Sequence, residues 1–279
     1  MNILEFTLVV GTVSSLAGFL GALTGLGGGT VLVPILTLMF GIDIRYAIGA
    51  SLISVIATSS GAAAAAYVKE GFTNIRVGMF LEVATTVGAL IGAFLATKLP
   101  TSLIAIVFGI VLLISSYLSS RSHLDKPIDS VPDPMATRLR LNGSYPTPEG
   151  QQTYFVQHVP IGFSFMLLAG TLSSLLGIGS GAVKVLAMDQ AMRLPFKVST
   201  TTSNFMIGVT AAAGAGVYLN RGYIDPGLAM PVMLGVLLGS VLGARTLVHT
   251  NPKVLRKVFS VIILLLAIQM IVNGITGRI

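Results

Sequence analysis

The sequence predicts an all-α polytopic membrane protein built from two inverted repeats, each a glycine-broken first segment plus three spanning helices. Three observations carry this prediction. First, 53% of the 279 residues are hydrophobic and only 10% are charged, with a mean hydropathy of +0.88, whereas ordinary globular domains carry about 25% charged residues. At about 20 apolar residues per crossing, there is room for roughly eight to ten crossings and one modest loop. Second, a glycine-rich stretch occurs twice: Thr24-Gly25-Leu26-Gly27-Gly28-Gly29-Thr30 and, 152 positions later, Leu176-Gly177-Ile178-Gly179-Ser180-Gly181-Ala182. Each glycine weakens a helix by roughly 1 kcal/mol, so three within five residues mark a break. A bilayer tolerates a break only where the freed peptide groups meet protein or line a wet cavity. Third, Lys and Arg distribute unevenly once the segments are laid out.

In chain order, an apolar run over 3–23 reaches the first break. Met1 to Phe6 holds Glu5 but no Lys or Arg, so it lacks the basic start of a cleaved signal peptide and the first helix is expected to stay. A short piece follows over 30–40; at about 1.5 Å per residue it covers roughly 16 Å, too little to span alone. Runs over 47–67, 77–97 and 102–118 complete a first membrane repeat, 1–119. Residues 120–160 then change character, with eight charged residues, among them Arg121, Asp125 and Arg140, spread among Pro127, Pro132, Pro134, Pro146 and Pro148. No segment this polar lies in hydrocarbon, so it reads as a linker. Alternation over 138–141 and 154–157 around Asn142-Gly143 permits a small hairpin within it. The second repeat, 161–279, follows the same plan: 161–176, the second break, a short piece over 182–192, and runs over 199–219, 228–248 and 255–275.

The duplication holds residue by residue. At an offset of 152, Gly25, Gly27 and Gly29 fall on Gly177, Gly179 and Gly181, Arg45 on Lys197, and Ser51 on Ser203. After one deletion the offset is 151, and Tyr67, Gly71, Gly88, Gly92, Val107 and Phe108 fall on Tyr218, Gly222, Gly239, Gly243, Val258 and Phe259. Such duplication is a signature of secondary transporters with a midplane site. If each break is a full reversal, twelve of the seventeen Lys and Arg gather on the face of the linker, Arg45, Lys98, Arg221 and Arg278 stay on the other, and Lys184 lies inside the membrane. If each broken segment is a single span, those sixteen divide eight to eight. The positive-inside rule selects the first arrangement: linker in the cytoplasm, both termini outside, in the inner membrane.

The run Gly25-Leu26-Gly27-Gly28-Gly29-Thr30-Val31-Leu32-Val33-Pro34, the later Ala50-Ser51-Leu52 and the second half that echoes both resemble the TauE/SafE family, the sulfite and organosulfonate exporters. The resemblance covers nearly the whole chain outside the linker. It implies export of a small sulfur-containing anion driven by an ion gradient or the membrane potential. The second half departs from the pattern: Ser180 stands where a glycine is expected, Lys184 occupies an otherwise apolar site, and Leu186 replaces the proline.

The residues themselves support an anion site. Unwound backbone at the start of a short helix presents N–H groups and the positive end of the helix dipole to an anionic oxygen. Gly27, Gly28 and Gly29 with Thr30 would approach the anion from one side, and Gly179, Ser180 and Gly181 from the other. The plainer alternative is that these glycines only allow close helix crossing. Lys184 either neutralises the anion or snorkels to the interface. Ser51 and Ser54, with Thr202, Ser203 and Asn204, either donate to sulfonate oxygens or serve as caps and interhelical bonds; Ser51 and Ser203 are favoured because they match in the repeat. Glu82, with the apolar Met233 as its repeat partner, is either a proton-coupling acid or the partner of Arg76. Asp189 is placed to pair with Lys184 or Arg193. Gly88 with Gly92, and Gly235, Gly239 and Gly243, form faces suited to helix packing.

Other classes lose support. There is no cysteine, and His123, His158 and His249 form no metal-ligand cluster, so no metal or cofactor is expected. The glycines match neither a dinucleotide nor a P-loop register, and the excess of seven positive charges reports topology rather than nucleic-acid binding. The expected partners are a small anion, the bilayer, a coupling ion and a second copy of the chain. Against the carrier stand a permease or channel for another small anion, and a membrane-embedded enzyme, for which no acid–base pair is apparent.

Overall fold

A computed structural model of the chain describes residues 2–24, 28–59, 71–120, 133–147, 150–179, 181–247, 252–277 and 279. Gly25, Gly27, Tyr67 and Ser180 lie outside the described residues, as do His123, His249 and 121–132 of the linker. The apolar runs become helices: α1 (Ile3–Thr24), α2 (Gly29–Phe40), α3 (Ile44–Ser59), α4 (Ile75–Lys98) and α5 (Thr101–Ser120). The second set is α7 (Val159–Leu176), α8 (Gly181–Leu186), which continues as a π turn over Ala187–Ala191, then α9 (Phe196–Asn220), α10 (Pro226–Leu247) and α11 (Pro252–Ile275). Among the described residues, four helices carry stretches long and apolar enough to cross a membrane: Leu4–Gly21, Ile75–Lys98, Val159–Leu176 and Pro226–Gly243. Their outward faces are apolar too. On α4, Val83, Val87, Leu90, Ile91 and Phe94 are exposed while Ala84, Ala89, Ala93 and Ala96 are buried. A helix apolar all round is suited to lipid on one side and protein on the other.

The linker folds differently from the expected hairpin. Asp133 caps a short helix, α6 (Pro134–Arg138), accepting from the Met135 amide at 2.8 Å with Pro134 in its first turn, which withdraws 138 from any strand. The hairpin forms further on, β1 (Gly143–Thr147) pairing antiparallel with β2 (Gly150–Tyr154). Asn74 ties this unit to α4. Its side chain accepts from Val77 N at 3.0 Å as the helix cap and donates to Leu141 O at 2.9 Å and Tyr154 OH at 2.7 Å. Ala136, Leu141, Tyr154 and Val156 pack there in one apolar cluster with Val77, Leu81, Met188 and Met192.

Helix pairing is reciprocal between the two halves. The most extensive contacts join α1 to α10, α4 to α7, and α5 to α11. The first two are equivalents of one another in the repeat, and they agree at residue level. The backbone of Gly239 lies against Ser15 and Phe19, as that of Gly88 lies against Leu167 and Thr171; Gly18 meets Val236 as Gly170 meets Thr85. A Cβ at any of these glycines would collide with main chain, so the small-residue faces serve close crossing. Arg45 stands over the Tyr223 ring at 5.7 Å, and its counterpart Lys197 over Phe72 at 5.2 Å.

Helix α3 runs opposite to α9 where they meet, and α5 opposite to α11. Leu52 of α3 sits beside Gly214 of α9, and Ser59 beside Gly208. Ser116 Oγ of α5 donates to Ser260 O of α11 at 3.0 Å, while Gly274 reaches Ser102 and Ile106 at the other end of α5. By contrast α4 and α9 run alike, with Asn74 beside Thr202 and Glu82 beside Thr210. So do α1 and α10, with Gly11 beside Gly235 and Phe19 beside Gly239.

Candidate substrate site

The second break starts where α7 stops. Gly177 takes φ +69°, its N–H returning to Ser173 O at 2.8 Å, and Gly179 again takes φ +69°. Both lie in left-handed backbone that side-chain-bearing residues rarely adopt, which is why the α7 apolar run cannot continue there. The first break ends at Gly28, whose carbonyl accepts from Leu32 N at 3.0 Å as α2 begins. The two breaks touch. A Cβ on Gly29 would run into the Gly177 carbonyl and Ser51 Oγ, and would stand 3.3 Å from Ile178 Cα. Ser51 Oγ closes the contact by donating to Gly177 O at 2.6 Å. Here backbone meets backbone because neither chain carries a side chain to hold them apart.

The other sequence-selected residues surround this junction. Gly28 packs toward Gly18, Ala17 and Val236, and Thr30 is buried. Gly179 fits between Val55 of α3 and Ile207 of α9, with 3.4 and 3.3 Å to the position of its missing Cβ. Gly181 opens α8 and its carbonyl accepts from Ser203 Oγ at 3.3 Å. Ser51 and Ser203, equivalent in the repeat, thus both hold the second break: one from across the repeat boundary, the other from within. Asn204 follows, half-buried. Ser54 donates to Ser51 O at 2.7 Å, and Thr202 accepts from Asn74 N at 3.0 Å.

Lys184 does not reach the interface. It is 0% exposed, and its Nζ donates to Thr210 Oγ1 at 2.5 Å; that hydroxyl in turn donates to Glu82 Oε1 at 2.7 Å. The ammonium and carboxylate therefore face each other across one hydroxyl and attract electrostatically. Glu82 is not paired with Arg76, whose Nη1 points to Arg140 O at 3.5 Å. Six residues along a helix leave two side chains about 120° apart around the axis, so the two do not share a face. Asp189, in the π turn, accepts from the Gln190 amide at 2.8 Å.

Three polar groups near the site had no weight in the sequence reading. Thr210 bridges Lys184 and Glu82, and its signal was a seven-residue spacing from Ser203 on one α9 face. Ser173 and Ser174 end α7 beside the break, 0% exposed, with hydroxyls that have no hydrogen-bond partner among the described residues. Their carbonyls are used: Ser173 O by Gly177, and Ser174 O by Tyr218 OH at 3.0 Å. Among the described residues, no group of His, Cys, Asp and Glu is arranged to hold a metal ion.

Broken apolar helices that meet at buried backbone, with a charge pair held beside them, define a multi-pass membrane protein of transporter type. Comparison with known proteins agrees. Residues 10–270 match the family described as Sulfite exporter TauE/SafE, and the chain belongs to that family. It is 26% identical to the Bacillus subtilis (strain 168) "Probable membrane transporter protein YunE", over 93% of this chain and 95% of that one. It is 27% identical to "Probable membrane transporter protein YdhB" of the same organism, over 90% and 92%. It is also similar to "Probable membrane transporter protein MJ0441" of Methanocaldococcus jannaschii, 26% identical over 94% and 92%. No solved structure matches the chain. The protein is a membrane transporter.

Proposed function

We propose that the chain is a secondary carrier of a small sulfur-containing anion, such as sulfite or a sulfonate, working by alternating access across the inner membrane. The observation that carries the reading is the meeting of the two breaks at Gly29, Gly177 and Ser51. Gly29 opens α2 at this junction, and the dipole of α2 adds a positive end. Gly27, Gly28, Gly29 and Thr30 then grip the anion from one repeat and Gly179, Ser180 and Gly181 from the other. Asn204 supplies a neutral donor, Ser51 and Ser203 supply two more on giving up their bonds to the Gly177 and Gly181 carbonyls, and Lys184 supplies the charge. The family's description as sulfite exporters supports the substrate class.

Inverted topology supports alternating access in the same reading. Equivalent helices α3 and α9 run antiparallel, as do α5 and α11. Since α1 runs with α10, and α10 reverses from α9 through a turn over 221–225, α1 and α3 point the same way. The twelve-residue α2 between them is then a return stroke, and each repeat makes five strokes, an odd number. That direction count supports a cytoplasmic linker on the Lys- and Arg-rich face, in keeping with the positive-inside rule, and both termini outside. Two repeats of this kind rock against each other around a fixed midplane site.

Radiolabelled sulfite uptake into proteoliposomes tests the proposal. A carrier gives saturable flux that accelerates with an imposed ion gradient and is competed by methanesulfonate. Flux that never saturates and ignores the gradient would make the protein a channel. Flux equal to that of protein-free vesicles would overturn the substrate.

A further inference from the structure

The buried Lys184–Thr210–Glu82 chain is a one-sided addition to a symmetric frame. At the repeat offsets Lys184 corresponds to Leu32 and Glu82 to Met233, both uncharged. Nothing in the packing of the repeat requires charges here, and bringing an ammonium and a carboxylate out of water carries a large desolvation penalty. Glu82 is only 8% exposed and incompletely satisfied. Oε1 accepts from Thr210 at 2.7 Å and from Thr86 at 3.5 Å, while the buried Oε2 has no hydrogen-bond partner among the described residues. The elements packed on Glu82 offer little else that is ionisable. Helix α7 carries none, α8 with its π turn carries Lys184 and Asp189, and α9 carries Lys197, which lies over Phe72, and Tyr218, which is bonded to Ser174.

We propose that Glu82 is a resident counter-anion for Lys184, which the transported anion replaces while Glu82 takes up one proton, so that the protein carries a singly charged anion together with H⁺. This rests on the anion-carrier reading above. Before loading, the pocket holds one ammonium and one carboxylate. After loading, it holds the ammonium, a monoanion and a neutral carboxylic acid. The net charge is zero in both states, and the only bond formed is O–H on the Glu82 carboxyl, with the proton drawn from solvent. Oε2 is the open atom for that proton. Thr210 allows the exchange because its single hydroxyl hydrogen has a second acceptor within reach, Met206 O at 3.1 Å, so it can release Glu82 without being orphaned. Lys184 lies three residues past Gly181, where α8 opens at the break. A dianion would leave the loaded pocket with a net negative charge, so a sulfonate or hydrogen sulfite is preferred over sulfite dianion or thiosulfate.

The test is calorimetric titration of the detergent-purified full chain with methanesulfonate, which stays ionised throughout, in buffers of different ionisation enthalpy. The parent should take up about one proton per anion bound, and its Kd should rise about tenfold per pH unit where the free carboxyl is ionised. Glu82→Gln should bind with no buffer dependence and a flat pH profile, and Lys184→Met should lose binding. Binding by the parent without proton uptake, or uptake unchanged in Glu82→Gln, would overturn the coupling and leave the carrier reading standing. No binding of methanesulfonate, with saturable sulfite flux intact, would overturn the monoanion pocket alone; loss of both would overturn the two together.

Discussion

Replacing Gly29 by Ala asks whether the two breaks are held in contact by their missing side chains. The added methyl would collide with the Gly177 carbonyl and with Ser51 Oγ, and would lie 3.3 Å from Ile178 Cα. Two of these three neighbours are main chain, so a rotamer change cannot make room. Overfilling a packed site costs about 1–3 kcal/mol, and displacing Ser51 from its 2.6 Å bond to Gly177 O loses about 1 kcal/mol more. Against this, Ala gains roughly 0.5–1 kcal/mol over Gly as a helix residue. The net is a destabilisation of about 1–3 kcal/mol, or several degrees in Tm. Gly216→Ala in α9 is the control, since nothing lies within 4 Å of its Cβ position and only the helix gain applies. With no Trp and no Cys for fluorescence or thiol-dye assays, melting is best followed by far-UV circular dichroism in detergent. Gly29→Ala should melt below the parent and Gly216→Ala at or above it. A Gly29→Ala protein as stable as the control would refute the close approach.

Other consequences follow from the same contacts. Lys184→Met leaves the Glu82 carboxylate buried without its counter-charge, which costs about 3–5 kcal/mol when ionised; adding Glu82→Gln should restore most of the lost Tm, and a double mutant no better than the single would contradict the pairing. Asn74→Ala removes a helix cap worth about 1 kcal/mol together with two bonds to the linker, so tryptic cleavage at Arg138 and Arg140 should speed up while the membrane helices remain intact. Burial pushes the Tyr154 phenol above its ordinary value of 10.0, against a weaker opposing effect of the Asn74 hydrogen bond. The folded state therefore holds this proton more tightly than the unfolded one, and the stabilisation it brings is full below about pH 10 and lost as pH rises further. Linker protection from trypsin should fall in that alkaline range in the parent and less so in Tyr154→Phe.

Much of the fold was legible because a bilayer narrows the choices: the ten apolar segments read from the sequence agree with the observed helices to within a few residues where both are described. Both breaks were legible because three glycines within five residues weaken a helix wherever they stand, and an apolar run has no other turn chemistry to confuse the signal. Their mutual contact was not, since glycine signals only that something approaches and not what. Lys184 and Glu82 were visible as costly charges, but their connection was not. Thr210 is 128 residues from Glu82, and the repeat misleads here because Met233 and Leu32 stand at the equivalent positions. The first strand of the hairpin was placed too early and the second too late because alternation over 138–141 and 154–157 was followed alone, whereas the Asp133-Pro134 cap turns the chain to 138 into a helix.

The central claim is that the anion sits where the glycine breaks meet, and protection of a cysteine placed there tests it most directly. In this cysteine-free chain, Ile178→Cys should be alkylated by N-ethylmaleimide in proteoliposomes more slowly when methanesulfonate is present, while Gly216→Cys on the outer face of α9 should react at the same rate with and without it. Equal alkylation of position 178 in both conditions, in protein that still transports, would place the anion elsewhere.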